Sequence, residues 1–348
     1  MKTRAKAVSF LILSVFPFLS GCGESSQKEK EMKSTDVFAM DTYMNLKAYG
    51  SSAEKALSDA ENRIRDLERT LSVTEEGSDI WNINHAEGQA VTVSDDTVSV
   101  LQTALNTGRE SGGALRVTLY PVLRAWGFTT GSYQIPASCE LDELLRTCDD
   151  SQIQLTGNTV SVPERSEIDL GAVAKGYTGD AVIETFRSNG ITEGIINLGG
   201  NVQTLGSRPD GSAWSVGITD PFSPDEMLGI VEVRDQAVIT SGNYERFFTA
   251  EDGKKYWHII DPADGCPADN GLVSVTVIGA CGADCDALST ALFVEGEKGA
   301  VEHWRRSGSF EMICVTDSGS VLVTEGISGR FELLSDMPRA VIHHDEAE

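Results

Sequence analysis

The sequence holds no Cys-x-x-Cys pair and no grouping of cysteine with histidine, which excludes the common tetrahedral zinc sites. It has neither G-x-G-x-x-G nor a Walker loop, so the usual dinucleotide and P-loop frameworks are excluded too. Positive charge is scarce: 28 Lys and Arg stand against 53 Asp and Glu, a formal net charge of −25. Without a basic footprint the chain is not a nucleic-acid binder, and its acidity favours solubility. No apolar run is long enough for a confident membrane span; the most apolar stretch, Ala7 to Leu19, is broken by Pro17. Beyond residue 35 there is no Pro/Gly/Ser linker, no repeat and no low-complexity block. One domain over residues 36–340 is therefore expected, ahead of an acidic tail at 341–348. Roughly 310 residues is large for one core, so two intimately packed lobes are an admissible arrangement.

What the N-terminus does contain is directional. Lys2, Arg4 and Lys6 precede the apolar run, and small residues follow it, which is the order of a secretory signal at residues 1–21. Leu19-Ser20-Gly21-Cys22 resembles the bacterial lipobox. That resemblance implies cleavage before Cys22, lipid on Cys22 and a membrane-anchored protein of the bacterial cell envelope, facing periplasm or exterior. The alternative is an ordinary signal peptide with an incidental cysteine. Residues 22–35 are polar and read as a flexible tether. Loss of the three leader cations would take the net charge to −28. Of seven cysteines, six would remain after lipidation; export permits disulfides, but no spacing dictates a pairing.

Periodicity supplies the elements. Ser51 to Leu71 carries an apolar stripe at Ala53, Leu57, Ala60, Ile64, Leu67 and Leu71, with Ser51 or Ser52 as cap. Further helices are expected at Asp95–Gly108, Ala174–Phe186, Cys285–Val294 and Lys298–Arg305. Alternation marks strands at Val37–Tyr49, Ile195–Leu198, Leu228–Val233 and Leu272–Ile278, and a hairpin around Asp317-Ser318-Gly319. Strands and helices without strict alternation indicate an α+β fold.

Three segments carry polar residues that a plain core would not select. In Cys285-Asp286-Ala287-Leu288-Ser289-Thr290, a helix puts the Asp286 carboxylate and Thr290 hydroxyl on one face, a donor pair suited to Mg²⁺. An acidic residue at the start of a buried helix reads equally from that spacing. Ile168-Asp169-Leu170-Gly171-Ala172-Val173-Ala174-Lys175-Gly176 reads as a strand end, a turn and a helix start, whose free N–H groups suit phosphate. Lys175 there is either a phosphate ligand or a solvated lysine. Thr240-Ser241-Gly242-Asn243-Tyr244-Glu245-Arg246 precedes His258-Ile259-Ile260-Asp261-Pro262-Ala263-Asp264-Gly265, where turn chemistry leaves His258 at a strand end, as a base or as a satisfied histidine.

Together these segments resemble the ApbE family, the FAD:protein FMN transferases, whose members show D-L-G-x-x-A-K-G-Y, T-S-G-x-Y, H-I-x-D-P-x-x-G and D-A-x-x-T in this order. Weaker matches are Phe38 to Met44, Leu71-Ser72, Ser78-Asp79-Ile80 with Asn84, Pro121 with Trp126-Gly127-Phe128, Asn197 to Asn201, and Trp214 to Pro221. The resemblance covers about residues 36 to 335. It implies a mixed sheet-and-helix globule that uses FAD and Mg²⁺, releases AMP, and joins FMN through its phosphate to a Thr or Ser. The acceptors would be subunits of membrane redox complexes or other exported flavoproteins. By resemblance, Mg²⁺ is held by Ala172, Asp286 and Thr290 with a contribution from Ser289, and His258 is the base. The flavin nucleotide contacts Met40, Thr74, Ala114, Leu115, Arg116, Asp169, Lys175, Thr240 and Ile260. The chain departs from the family twice. Arg116 stands where an acid contacts the cofactor, and a guanidinium only donates; its head is expected to turn to solvent or to pair with a phosphate. Val73-Thr74 stands where an aromatic ring stacks on the flavin, which opens the way to water and to hydrolysis of FAD.

Overall fold

The structure is a computed structural model and describes residues 30–344. The leader, Cys22 and residues 345–348 lie outside that range.

Nine strands form the main sheet, in the spatial order Met32–Ala39, Thr42–Tyr49, Gly194–Leu198, Asn201–Leu205, Ala237–Gly242, Leu272–Gly279, Glu311–Thr316, Val321–Thr324 and Arg339–Ile342. All neighbours are antiparallel except the final pair, which is parallel. Three expectations are corrected here. Val37–Tyr49 is not one strand but most of a hairpin, turning at Met40 and Asp41, both with positive φ (50° and 57°). The tether ends earlier than residue 35, because Met32 to Asp36 pair with Tyr49 to Asn45. The acidic tail begins later than 341, because Val341 and Ile342 pair with Val323 and Thr324.

One face of the sheet is covered by helices. Helix Ala53–Leu71 buries the whole stripe read from the sequence, and it packs with helix Gly171–Ser188 on the first hairpin, around Leu46, Ile64, Phe186 and Ile196. Helix Gly282–Ser307 covers the sheet centre through Leu292, Phe293 and Trp304. It contains a break at Gly296 (φ 73°), whose Cβ position lies 2.5 Å from the Asn270 carbonyl, so the two helices expected there are the two arms of one bent element. Helix Asp95–Glu110 completes the layer. The opposite face is covered by a three-stranded sheet, Trp214–Thr219, Met227–Val233 and Phe331–Leu333, through Trp214, Val231 and Phe331. The arrangement is α+β, and each face of the large sheet buries apolar side chains, as layer packing requires.

The helices Gly171–Ser188 and Gly282–Ser307 meet backbone to backbone. A Cβ on Gly176 would lie 2.2 Å from the Gly282 carbonyl oxygen and 2.7 Å from Asp286 Cβ. Asp180, one turn further along, accepts from the Gly282 N–H at 2.7 Å and the Ala283 N–H at 2.8 Å, capping the second helix from the first. Gln203 donates through Nε2 to the Gly176 carbonyl at 2.9 Å. Gly176→Ala is expected to destabilise the fold by about 1–3 kcal/mol through overpacking against backbone that cannot yield. Urea unfolding measures this as a lower midpoint; an unchanged midpoint would mean that the crossing is not tight.

Candidate active site

A cavity of about 820 Å³ opens at the end of the large sheet where the first hairpin turns, a size that suits a cofactor or small substrate. Its walls come from distant parts of the chain. The first hairpin supplies Met40 and helix Ala53–Leu71 supplies Glu68. Ala114 to Val117 and Asp169 to Lys175 form further wall, and Thr240 with Ser241, Arg246, His258 to Ile260, Asp286 and Thr290 complete it.

Of the residues singled out from sequence, Met40, Thr74, Ala114, Leu115, Arg116, Asp169, Ala172, Lys175, Thr240, His258, Ile260, Asp286 and Thr290 all line this one cavity. Ser289 does not. It is fully buried; its hydroxyl donates to the Asp286 carbonyl at 2.9 Å and pairs with Ser241 Oγ at 2.8 Å. Ser241 in turn lies 3.3 Å from Thr290 Oγ1, so Ser289 steadies Thr290 from behind.

The close helix crossing sets the oxygen donors. The Gly176 N–H reaches Asp286 Oδ2 at 2.8 Å. In a regular helix that N–H belongs to the Ala172 carbonyl, so this carbonyl keeps at most a shared donor. Asp286 is buried, and burial pushes its carboxyl up, opposed by Lys175, the Gly176 N–H and Asn201. A buried carboxylate held above its usual range gains from a cation. Asp286 carboxylate, Thr290 hydroxyl and Ala172 carbonyl are hard oxygen donors, a set that fits Mg²⁺ with its remaining positions left to water or phosphate. Among the described residues, no three His, Cys, Asp or Glu side chains gather as a softer metal site.

His258 is oriented by backbone. His258 Nδ1 lies 3.2 Å from the Arg246 carbonyl, and the His258 N–H donates to the same oxygen at 3.1 Å. A carbonyl only accepts, so Nδ1 carries the hydrogen and Nε2 keeps its lone pair. Desolvation, with the Arg246 charge beside it, pulls the His258 pKa down to about 4. Asp169, which accepts from the Gly171 N–H at 2.8 Å, is pushed up by burial and pulled down by that N–H, Arg246 and Lys175.

Arg116 is held at the cavity wall rather than turned to solvent. Its Nη1 donates to the Cys148 carbonyl at 3.0 Å, and its guanidinium packs on Gly113. Thr74 is exposed and its N–H bonds the Ser72 hydroxyl, with no ring at that position. The six cysteines within the described residues are unpaired. Several motif residues hold the frame. Asn84 clamps Ile168 by two hydrogen bonds, Asp79 accepts from Ser94 and Thr97, and Trp126 Nε1 donates to the Gly265 carbonyl at 2.7 Å. Sequence reasoning missed Glu68 and left Glu245 unassigned. Desolvation pushes Glu245 up to about 7, with Lys175 opposing, Asp286 adding and Arg246 opposing. Its place immediately before Arg246 was a usable signal.

Residues 40–314 match the model of the ApbE family. The chain belongs to the ApbE family. An ApbE relative from Klebsiella pneumoniae, named FAD:protein FMN transferase, is 33% identical over 276 residues, covering 78% of this chain and 85% of that protein. One from Treponema pallidum, with the same name, is 31% identical over 297 residues, covering 80% and 82%. The crystal structure of the ApbE protein of Thermotoga maritima superposes with a TM-score of 0.80 at 27% identity, over 85% of this chain and 98% of that one. The flavin transferase ApbE of Vibrio cholerae gives 0.75 at 27% identity, over 82% and 94%. The four ApbE motifs thus converge on one cavity, each supplying wall from a different element.

His258 is expected to titrate near 4 and to stay neutral from pH 5 to 8, read from its imidazole resonances by NMR. The ordinary value is 6.5, so the unfolded chain takes the proton first as pH falls. The stability this group contributes is complete above about 6.5 and is lost on the way down to about 4. A midpoint above 6 would remove the neutral-histidine reading.

Proposed function

We propose that this protein transfers the FMN part of FAD to a Thr or Ser hydroxyl of a target protein, forming a phosphoester and releasing AMP. The observation that carries this reading is the convergence of His258, with Nε2 free, and the Asp286–Thr290 oxygen pair on one cavity of cofactor size. Membership in a family whose relatives bear the name FAD:protein FMN transferase supports it.

Ala172, Asp286 and Thr290 would hold Mg²⁺, which when bound neutralises charge building on the pyrophosphate. Lys175 and Arg246 add fixed positive charge among Asp169, Glu245 and Asp286, so the diphosphate meets cations in a protein that is otherwise strongly acidic. Met40, Ala114, Leu115, Asp169, Thr240 and Ile260 would fix the flavin nucleotide. Nε2 of His258 accepts the proton of the attacking hydroxyl, with its ring held by the Arg246 carbonyl. We place the protein in the bacterial cell envelope, anchored by lipid on Cys22, with exported flavoproteins or subunits of membrane redox complexes as acceptors. None of the described helices is long and apolar enough to cross a membrane.

The missing ring at Thr74 favours one second reading, a Mg²⁺-dependent FAD pyrophosphatase in which water replaces the acceptor hydroxyl. Incubation with FAD and Mg²⁺, with and without a flavin-acceptor domain, separates the two. Protein-bound flavin with equimolar AMP supports transfer, FMN with AMP supports hydrolysis, and unchanged FAD overturns both. Asp286→Ala is expected to abolish Mg²⁺-dependent turnover while the protein remains folded, because it removes the only charged ligand. His258→Ala is expected to slow the reaction by about 10²–10⁴-fold with FAD affinity little changed. Collapse of affinity at a normal saturated rate would make His258 a binding residue.

A further inference from the structure

The turn that brings Met40 to the cavity is a two-residue hairpin loop closed by the Ala39–Thr42 pair, with both central residues left-handed. This is type I′ geometry, which favours Asn, Asp and Gly because other side chains are strained at positive φ. Asp41 suits its position, but Met40 is none of these, so contacts elsewhere must hold it there. Thr42 is seated against Gly199, where a Cβ would lie 2.0 Å from Thr42 Oγ1. The Thr178 hydroxyl makes a weak contact with Met40 Sδ at 3.6 Å. The strong contact is from Glu68, whose Oε1 accepts the Met40 N–H at 2.7 Å across 28 residues of sequence. Glu68 comes from the last turns of helix Ala53–Leu71 and itself lines the cavity. A carboxylate acceptor makes this hydrogen bond stronger than a neutral one.

We propose that Glu68 is a positioning residue for flavin binding: its carboxylate fixes the left-handed Met40–Asp41 turn and thereby the wall that meets the flavin. This role presupposes that FAD occupies the cavity. Removal of the acceptor lets the turn relax toward ordinary backbone angles and withdraws Met40, so affinity falls while the chemistry at His258 and Asp286 continues.

Quenching of flavin fluorescence in Mg²⁺ buffer measures FAD binding by the parent and its variants, beside kcat at saturating FAD. Glu68→Ala is expected to weaken FAD by about tenfold or more, the value of one charge-assisted hydrogen bond. Glu68→Gln, which keeps an acceptor oxygen, is expected to stay within about threefold of the parent, and kcat of both variants within about threefold. Asp41→Gly accepts positive φ without strain and is expected to restore part of the lost affinity in the Glu68→Ala background, a rescue that a packing defect in the helix would not give. If Glu68→Ala does not fold, Asp41→Gly alone and combined with Glu68→Ala give the same comparison. Parent-like FAD binding by Glu68→Ala, or equal losses in the Ala and Gln variants, would overturn the positioning role alone. Absence of FAD binding by the parent would overturn the cavity assignment along with it.

Discussion

The close crossing of helices Gly171–Ser188 and Gly282–Ser307 is the constraint on which the site rests. At Gly176 the neighbouring backbone stands where a side chain would be, and a Cβ on Gly282 would meet Gln203 and the Gly176 carbonyl. Only at that separation can one helix put its Gly176 N–H on the Asp286 carboxylate of the other and cap its start with Asp180. The Ala172 carbonyl and the Thr290 hydroxyl are then held by rigid elements rather than by loops. This is the kind of support that a coordination geometry tolerant of little error requires. The motif glycines are therefore packing residues, and the chemistry follows from the distance they permit.

The same closeness concentrates charge. Asp169, Glu245 and Asp286 all sit above their usual carboxylate range, each pushed up first by desolvation and each drawn back by Lys175. Such a cluster of carboxylates is poorly balanced by the protein's own charges. On the function proposed above, a divalent cation would relieve Asp286, and Lys175 and Arg246 would face the phosphates. Cation and nucleotide would thus lower the cost of each other's binding, and by linkage the effect would be reciprocal. His258 belongs to the same balance, since Arg246 and Lys175 help keep it unprotonated, the form a base must have.

Much of the frame was legible because burial follows period. Every residue read into the Ala53–Leu71 stripe is buried, and the structure adds Ala56 beside Leu57. The Val37–Tyr49 hairpin was not legible, because its turn lacks the Asn or Gly that usually announces type I′ geometry, and apolar alternation runs on through Met40. Glu68 was invisible for a related reason. A lone acid beside a buried stripe looks like a solvated helix face, and only the fold brings it to Met40. Ser289 and Thr290 are adjacent in sequence yet face different ways, one into the core and one into the cavity, a distinction set by helix rotation that composition does not carry. Arg116 was read as turning to solvent or pairing with a phosphate, because spacing says nothing of the Cys148 carbonyl to which it donates.

Whether the flavin is transferred or released turns on access rather than on the base. A neutral histidine with a free Nε2 accepts a proton from a protein hydroxyl or from water alike. The oxygen donors that would hold a cation do not distinguish the two nucleophiles either. Discrimination must come from what fills the space above the phosphate when attack occurs. In this chain the wall at Val73-Thr74 offers a half-buried aliphatic side chain and an exposed hydroxyl in place of a ring, so on the proposed function a flavin would be less completely covered on that side. An acceptor protein that docks at the mouth would complete the enclosure and exclude water as it presents its own hydroxyl. On this reasoning the acceptor is both substrate and lid: transfer dominates when it is bound, and any hydrolysis belongs to the enzyme without it.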